Sequence, residues 1–197
     1  MRVDSHRVTL ASGSPQRRAI LDQLGIVHRV VEPHAEELTE GEPVALVVEN
    51  ALRKALSVAS VGGGGGATVL GSDTIVAHRG HVLGKPCDEH EARAMLCDLS
   101  GHSHEVHSGI ALVDPGGGHR TAAASSTVRF ADLASGRLAW YLASGEWRER
   151  AGAYAIQGRG AALIEAIEGD YTTVVGLPVA ALIALAPELL HGPSAGD

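Results

Sequence analysis

The segment Leu10-Ala11-Ser12-Gly13-Ser14-Pro15-Gln16-Arg17-Arg18 joins an apolar stretch to small polar residues and two arginines, the composition of a strand that turns into a helix. Ser14 suits the N-cap, and Pro15 suits the first helical position, where a missing N–H costs nothing. The first turn then presents free N–H groups and the positive end of the helix dipole, a poor setting for Arg17 and Arg18 unless an anion lies between them. A phosphate satisfies both arginines and the N–H groups. Two solvated arginines on an amphipathic helix are the alternative that this segment alone leaves open.

Further along, Asp73 interrupts an apolar, β-rich stretch as part of Gly71-Ser72-Asp73-Thr74. A carboxylate there is costly unless it faces a cleft, a metal or a cation, or bonds local backbone N–H groups at a bulge or strand end. Thr74 shares that choice. Lys85 stands between Gly84 and Pro86, and Lys54 lies late in an apolar helical stretch; the solvated face is the ordinary place for either. Taken with Arg17 and Arg18, they can neutralise a triphosphate carrying roughly four negative charges, which leaves Asp73 and Glu37 to bind a divalent ion. His102, His104 and His107 invite a metal reading, since His102 and His104 would share a strand face. However, His107 would face away and no further Cys or His stands at zinc-like spacing, so exposed strand histidines explain the pattern better. No Gly-x-Ser-x-Gly elbow supports a serine hydrolase.

These residues need a scaffold, and the composition bounds it. A chain of 197 residues with 45% hydrophobic content can bury one substantial core, so the expectation is one domain over residues 1–190 with a loose tail over 191–197. Aromatics make up only 3%, which calls for a core of Ala, Val, Leu and Ile with helices packed on a sheet. It also opposes a stacking platform for single-stranded nucleic acid. A net charge of −7 has the wrong sign for a protein that tracks a nucleic-acid backbone. Cys87 and Cys97 match no metal or redox spacing and read as reduced thiols of a cytoplasmic protein. No apolar run reaches the roughly 18 residues of a membrane span, and no apolar region of a signal peptide follows the first residues.

Periodicity and breakers predict strands near residues 8–11, 28–31, 68–70, 75–77 and 81–83. Two more flank the turn Pro115-Gly116-Gly117-Gly118, the second near 121–130, and a last one lies near 163–167. Helices are predicted from Pro15 to a stop at Gly25, from Pro43 to about residue 60, over 88–99, near 137–143 and from about residue 179. An acidic loop holds Glu32, Glu36, Glu37, Glu40 and Glu42, and the glycines at 62–66 read as a flexible surface loop, with no lysine-containing phosphate loop beside them. Alternating helices and strands predict an α/β fold with a mixed sheet.

The motifs, in this order, resemble the Maf family of nucleoside triphosphate pyrophosphatases over nearly the whole chain. They are the opening segment to Arg18, Glu36-Glu37, Arg53-Lys54-Ala55, Gly71-Ser72-Asp73-Thr74, Leu83-Gly84-Lys85-Pro86, Leu99-Ser100-Gly101, Ala151-Gly152-Ala153-Tyr154-Ala155-Ile156-Gln157-Gly158 and Val174-Val175-Gly176-Leu177-Pro178. The resemblance implies an elongated mixed β-sheet flanked by helices, with two lobes around a nucleotide-binding cleft as in Maf and ITPase-like proteins. It further implies a cytoplasmic enzyme, often a homodimer, that hydrolyses a nucleoside triphosphate to the monophosphate and pyrophosphate with magnesium or manganese, as house-cleaning of the nucleotide pool. No nucleic-acid or membrane partner is implied.

By position, Asp73 would accept the proton and Lys85 would act beside it. Ser12, Arg17, Arg18 and Lys54 would bind substrate, Arg17 more directly than Arg18, and Glu37 with Asp73 would hold the metal. Three positions track the base. The subgroup resembling dTTP and UTP hydrolases has Arg, Thr and Gln where this chain has Gln16, Thr74 and Gln157, so Gln16 departs. The Trp, Gln and Glu of a subgroup resembling 7-methyl-GTP hydrolases are absent. The expectation is a pyrimidine or modified nucleotide. The competing function is a nucleotide-binding regulator of cell division or septum formation with little turnover.

Overall fold

Val8–Ala11 forms the first strand, β1, with all four residues buried, and the chain turns directly into helix α1, Pro15–Gln23. Strand β2, His28–Val31, returns parallel to β1. Helix α2, Pro43–Ser60, then carries the chain to strand β3, Thr68–His78, which pairs in parallel with the other edge of β1. A tight turn at Arg79 and Gly80, with φ of 49° and 80°, leads into the short antiparallel strand β4, His81–Leu83. Helix α3, Glu89–Leu99, precedes the long hairpin of β5, Ser103–Val113, and β6, His119–Phe130. Helix α4, Ser135–Leu142, strand β7, Ile164–Glu168, and helices α5, Tyr171–Val175, and α6, Val179–Leu185, complete the order. The computed structural model describes residues 8–190, and the expected tail over 191–197 lies outside the described residues.

The strands form one mixed seven-stranded sheet in the order β2-β1-β3-β5-β6-β7, with β4 added to β3. This is the α/β architecture that the alternation of elements predicts. Three local expectations are corrected. The polar insert Gly71-Ser72-Asp73-Thr74 does not separate two strands but lies inside β3, which is continuous over eleven residues. The five glycines are not a free loop: they form turns in which Gly64 is buried, Thr9 Oγ1 donates to the Gly64 carbonyl (3.1 Å) and Arg29 donates to Gly63. Helix α5 was not predicted, because five residues are too few to carry a helical period.

Helices cover the sheet on opposite faces to either side of the β1–β3 pair. Ile20 and Leu21 of α1 and Leu182 of α6 pack with Leu10, Leu70, Ile110 and Leu112. Ala51, Ala55 and Val58 of α2 pack on the other face, with Ala11, Val69, Ala111 and Val113. A separate cluster around Leu96, Phe130, Tyr141, Trp147 and Tyr154 builds the second lobe at the far end of the sheet. The chain thus leaves β1 for one face and reaches β3 from the other, the topology that opens a crevice beyond the ends of parallel strands.

The crevice has a specific origin in the pairing. β1 accompanies β3 only as far as the Ala11–Gly71 pair, and β4 begins at the Val76–Leu83 pair. Among the described residues, the edge of β3 therefore has no strand partner over 72–75. Asp73 and Thr74 stand in that window, pointing to opposite faces because side chains alternate along a strand.

Two glycines set the height of α2 above this window. A Cβ at Gly71 would meet the Ala51 carbonyl and the Ala55 nitrogen, and one at Gly109, the cross-strand partner of Asp73, would meet the Val47 carbonyl. Both obstacles are backbone, so neither can rotate away. We expect Gly71→Ala to lift α2 and cost on the order of 1–3 kcal/mol, read as a lower midpoint in denaturant unfolding; a variant as stable as the native protein would contradict this packing.

Candidate active site

Close approach of α2 delivers two polar side chains to Asp73. Asn50 and Lys54 are one helical turn apart, so they share a face, and both are buried. Lys54 Nζ lies 2.6 Å from Asp73 Oδ1 and 2.9 Å from Glu37 Oε1, bridging the two carboxylates. Asn50 Nδ2 donates to Asp73 Oδ2 (3.0 Å) and also to the Leu38 carbonyl (2.9 Å), while the Leu38 N–H donates to Asn50 Oδ1 (2.8 Å). Asn50, which the sequence reading passed over, thus fixes Asp73 and ties down the acidic loop beside Glu37. Its position four residues before Lys54 in an apolar helix was the available signal.

Asp73 is 4% exposed. Burial alone pushes its carboxyl upward, but Lys54, Arg17 and Asn50 together outweigh burial and hold it below the usual carboxylate value. It is therefore ionised at neutral pH, and in this arrangement it is a weak base.

Arg17 approaches from the other side of the window. Its Nε donates to the Gly176 carbonyl (2.8 Å), its Nη1 to Ser12 Oγ (3.1 Å) and its Nη2 to Thr74 Oγ1 (3.1 Å). All three acceptors are uncharged. Burial lowers its pKa, with Arg150 adding to this and Asp73 and Glu37 opposing it, yet a guanidinium stays charged. The result is a partly buried cation with no contacting carboxylate among the described residues, the condition that the opening segment requires of an anion site. Gly176 is held at φ 122°, and a Cβ there would crowd Thr74 Oγ1 at 3.3 Å, so glycine is what lets this carbonyl reach the arginine.

Ser12 is buried and accepts from both Arg17 and the Ser14 N–H (3.1 Å), which leaves its own hydroxyl hydrogen for another acceptor. Ser14 occupies the N-cap position of α1 as predicted, but its side chain makes no cap bond and instead donates to Gln16 Oε1 at 3.2 Å. Thr74 is committed to Arg17 and to Ser108 (2.8 Å).

The opposite wall comes from the second lobe. Lys85 faces Glu149 at 3.3 Å, and Arg150 Nη1 reaches across to Gln16 Oε1 at 2.8 Å. Together with Tyr154 and Gln157 they close a cleft of ≈ 840 Å³, large enough for a nucleotide. Ser12, Gln16, Arg17, Glu37, Lys54, Asp73, Thr74, Lys85 and Gln157 all line it. Arg18 does not: it is exposed on the outer face of α1, 3.8 Å from Asp22.

The three histidines are not a metal group, and two of them are not exposed either. His104 is buried against Phe130 and Tyr154, with its Nε2 2.8 Å from the Tyr154 hydroxyl; burial, with a smaller effect of His78, pushes it down to about 4. His107 is buried beside Ser125 at 2.7 Å, and His102 lies near Arg79 at 3.0 Å. Among the described residues no three His, Cys, Asp or Glu side chains group as metal ligands. Glu37 and Asp73 do meet around one ammonium, and two carboxylates with the phosphate oxygens of a ligand are the donor set that magnesium takes. The residues present therefore fit a divalent ion that arrives with a polyphosphate.

A mixed α/β sheet whose edge gathers Arg17, Lys54 and Lys85 around a buried carboxylate has the make-up of a cleft for a polyanion. Residues 7–189 match the family described as Maf-like protein, and the chain belongs to that family. It is 48% identical over 175 residues to the dTTP/UTP pyrophosphatase of Symbiobacterium thermophilum, covering 88% of this chain and 89% of that one. A dTTP/UTP pyrophosphatase of an Anaeromyxobacter species is 46% identical over 180 residues, covering 88% and 85%. Among solved structures, a nucleoside-triphosphatase/dITP/XTP pyrophosphatase of Mycobacterium abscessus superposes with a TM-score of 0.43 at 22% identity, covering 64% of this chain and 75% of that one.

Because the folded Asp73 is shifted below its unfolded value, its ionic contacts stabilise the fold above the ordinary aspartate pKa, and that contribution is lost as pH falls through the lower folded value. Asp73→Asn should therefore be less stable than the native protein near pH 7, and the gap should narrow as pH falls below the ordinary aspartate pKa. Urea unfolding across this range checks it, and a gap independent of pH would remove the ionic argument.

Proposed function

We propose that this protein hydrolyses pyrimidine nucleoside triphosphates, dTTP and UTP foremost, to the monophosphate and pyrophosphate, and so removes unwanted nucleotides from the pool. The observation that carries this reading is the pairing, in one cleft, of Arg17, whose partners among the described residues are uncharged oxygens, and Asp73 held ionised by Lys54. The names of the relatives at 46–48% identity point the same way.

Charge balance supports a divalent ion as companion of the substrate. The cleft is lined by Arg17, Lys54, Lys85 and Arg150 and equally by Glu32, Glu37, Asp73 and Glu149, so it is formally neutral. A triphosphate with roughly four negative charges would enter uncompensated. Magnesium or manganese held by Glu37 and Asp73 would offset that charge and polarise the phosphate oxygens.

The side chains divide the remaining work. Arg17 and Ser12 offer N–H and O–H groups to the phosphates from a fixed frame. Lys54 and Lys85 exchange their carboxylate partners for phosphate oxygens. As Lys54 turns to phosphate, the two carboxylates that it bridges, Glu37 and Asp73, become free to hold the ion and a water. Asp73 then takes a proton from a water whose oxygen bonds to the α-phosphorus, while the bond from that phosphorus to the bridging oxygen breaks and pyrophosphate leaves. The cations stabilise the charge that collects on the leaving group. Gln16 and Gln157 would face the base, and Thr74 would act through Arg17. The two free cysteines, both exposed, suit a reducing cytoplasm, and no described helix is long and apolar enough to cross a membrane.

Pyrophosphate release from a panel of nucleoside triphosphates, with and without magnesium or manganese, tests this reading. UTP and dTTP should lead, and Asp73→Asn should lose on the order of 10²-fold or more in turnover while still folding. Clear preference for purines would defeat the substrate assignment, and near-native turnover of Asp73→Asn would defeat the role of Asp73.

A further inference from the structure

Resting on the triphosphatase reading above, we propose that Arg150 and Gln16 form a donor-only pair that reads a keto oxygen of the base, the one at position 4 of uracil or thymine. In this arrangement Arg150 supplies, from the second lobe, the guanidinium that position 16 lacks. A guanidinium has no acceptor, so the bond from Arg150 Nη1 fixes which way the Gln16 amide points: Oε1 faces Arg150 at 2.8 Å and Nε2 faces away. The Ser14 hydroxyl donates to the same oxygen at 3.2 Å. With its oxygen taken twice, Gln16 has only N–H groups left for a ligand.

Arg150 is in the same state. Among the described residues its Nε is buried without an acceptor, and the neighbouring carboxylate, Glu149, is engaged with Lys85 at 3.3 Å. The guanidinium has no acceptor of its own, so Arg150 too can offer a ligand only N–H groups. The arm that carries Arg150 is held rigidly. Glu149 and Ala153 adopt φ of 56° and 62°, a left-handed region unfavourable for residues with a Cβ. The Gly152 N–H is anchored on the Gly84 carbonyl at 3.1 Å. Strain of this kind persists only where the surroundings impose it.

A site that offers donors alone accepts a carbonyl oxygen and rejects an amino group. Uracil and thymine present O4 where cytosine presents an N4 amino group, so the pair discriminates between bases of equal size. Gln157, exposed on the same wall of the cleft, retains an amide oxygen able to accept from the ring N3–H. A phosphate oxygen has the same acceptor chemistry as O4, and the experiment must separate the two.

The test measures kcat/KM for UTP, dTTP and CTP, and inhibition by inorganic tripolyphosphate, for the native protein and for Arg150→Ala, Arg150→Lys and the exchange Gln16→Arg with Arg150→Gln. The native protein should favour UTP over CTP, and Arg150→Ala should lower that ratio about tenfold with tripolyphosphate inhibition unchanged. The exchange should restore the ratio. Should Arg150→Ala fail to fold, Arg150→Lys, which keeps the charge but not the planar fork, should show the same fall at a native melting temperature. Equal loss for UTP and CTP with weaker tripolyphosphate inhibition would reassign Arg150 to phosphate, and an unchanged ratio would overturn the pair as a reader. A native protein inactive on every triphosphate would instead defeat the function proposed above.

Discussion

The closeness of α2 to β3 and β5 is the constraint on which the site depends. A helix normally stands off a sheet by the thickness of side chains on both, and at that distance a lysine from α2 would reach the sheet only at its tip. Gly71 and Gly109 remove the sheet's share of that thickness, and Ala51 and Ala55 remove most of the helix's. Lys54 and Asn50 then lie flat over Asp73 rather than above it, and both oxygens of the carboxylate are engaged. The scarcity of aromatic residues that marks the composition is consistent with an interior built for approach rather than bulk.

Embedding charges in such a place is not a means to stability. Pairing a buried aspartate with a buried lysine recovers the cost of desolvating both only where geometry is good and the remaining lone pairs are satisfied. Asn50 supplies that satisfaction, and Glu37, more open to solvent, takes the second contact of the ammonium. An apolar pair would serve the fold as well. On the proposed function, what the ionic pair would add is a cation that a stronger anion can draw away, leaving two carboxylates free to hold an ion.

The parts of this arrangement that were legible in the sequence are the ones that break a local rule. Asp73 inside an apolar strand, Lys54 inside an apolar helix and Arg17 at the positive end of a helix are each costly unless something compensates, so each signals a site. The order of strands and helices was legible too, because buried faces impose a period. Arg150 was not. It closes the charged run Glu146-Trp147-Arg148-Glu149-Arg150, where one more arginine breaks no rule, and only the tertiary path of that arm brings it to Gln16. His104 and His107 are expected to be exposed because a strand that ends in polar residues looks solvated, whereas Phe130 and Tyr154 pack against His104, and Ser125 of the neighbouring strand β6 pairs with His107, which is buried.

A protein of net charge −7 can host a polyanion only if the local field differs from the global one, and the partners of the cleft cations indicate how. Among the described residues, Arg17 and Arg150 bond only to uncharged oxygens, so they keep their charge uncompensated and their position fixed. Lys54 and Lys85 rest on carboxylates, so their charge is cancelled until a ligand competes for it. Screening over about 8–10 Å in physiological salt confines the acidic surface to a weak influence at this depth. On the proposed function, Arg17 would form a permanent frame that orients an incoming anion while Arg150 is turned to Gln16 and the base, and the lysines would form a reserve released only when the anion has displaced them. Arginine suits the first task, with a rigid fork that tolerates burial while charged, and lysine the second, with a flexible stem whose ammonium can change partner without dismantling the wall behind it.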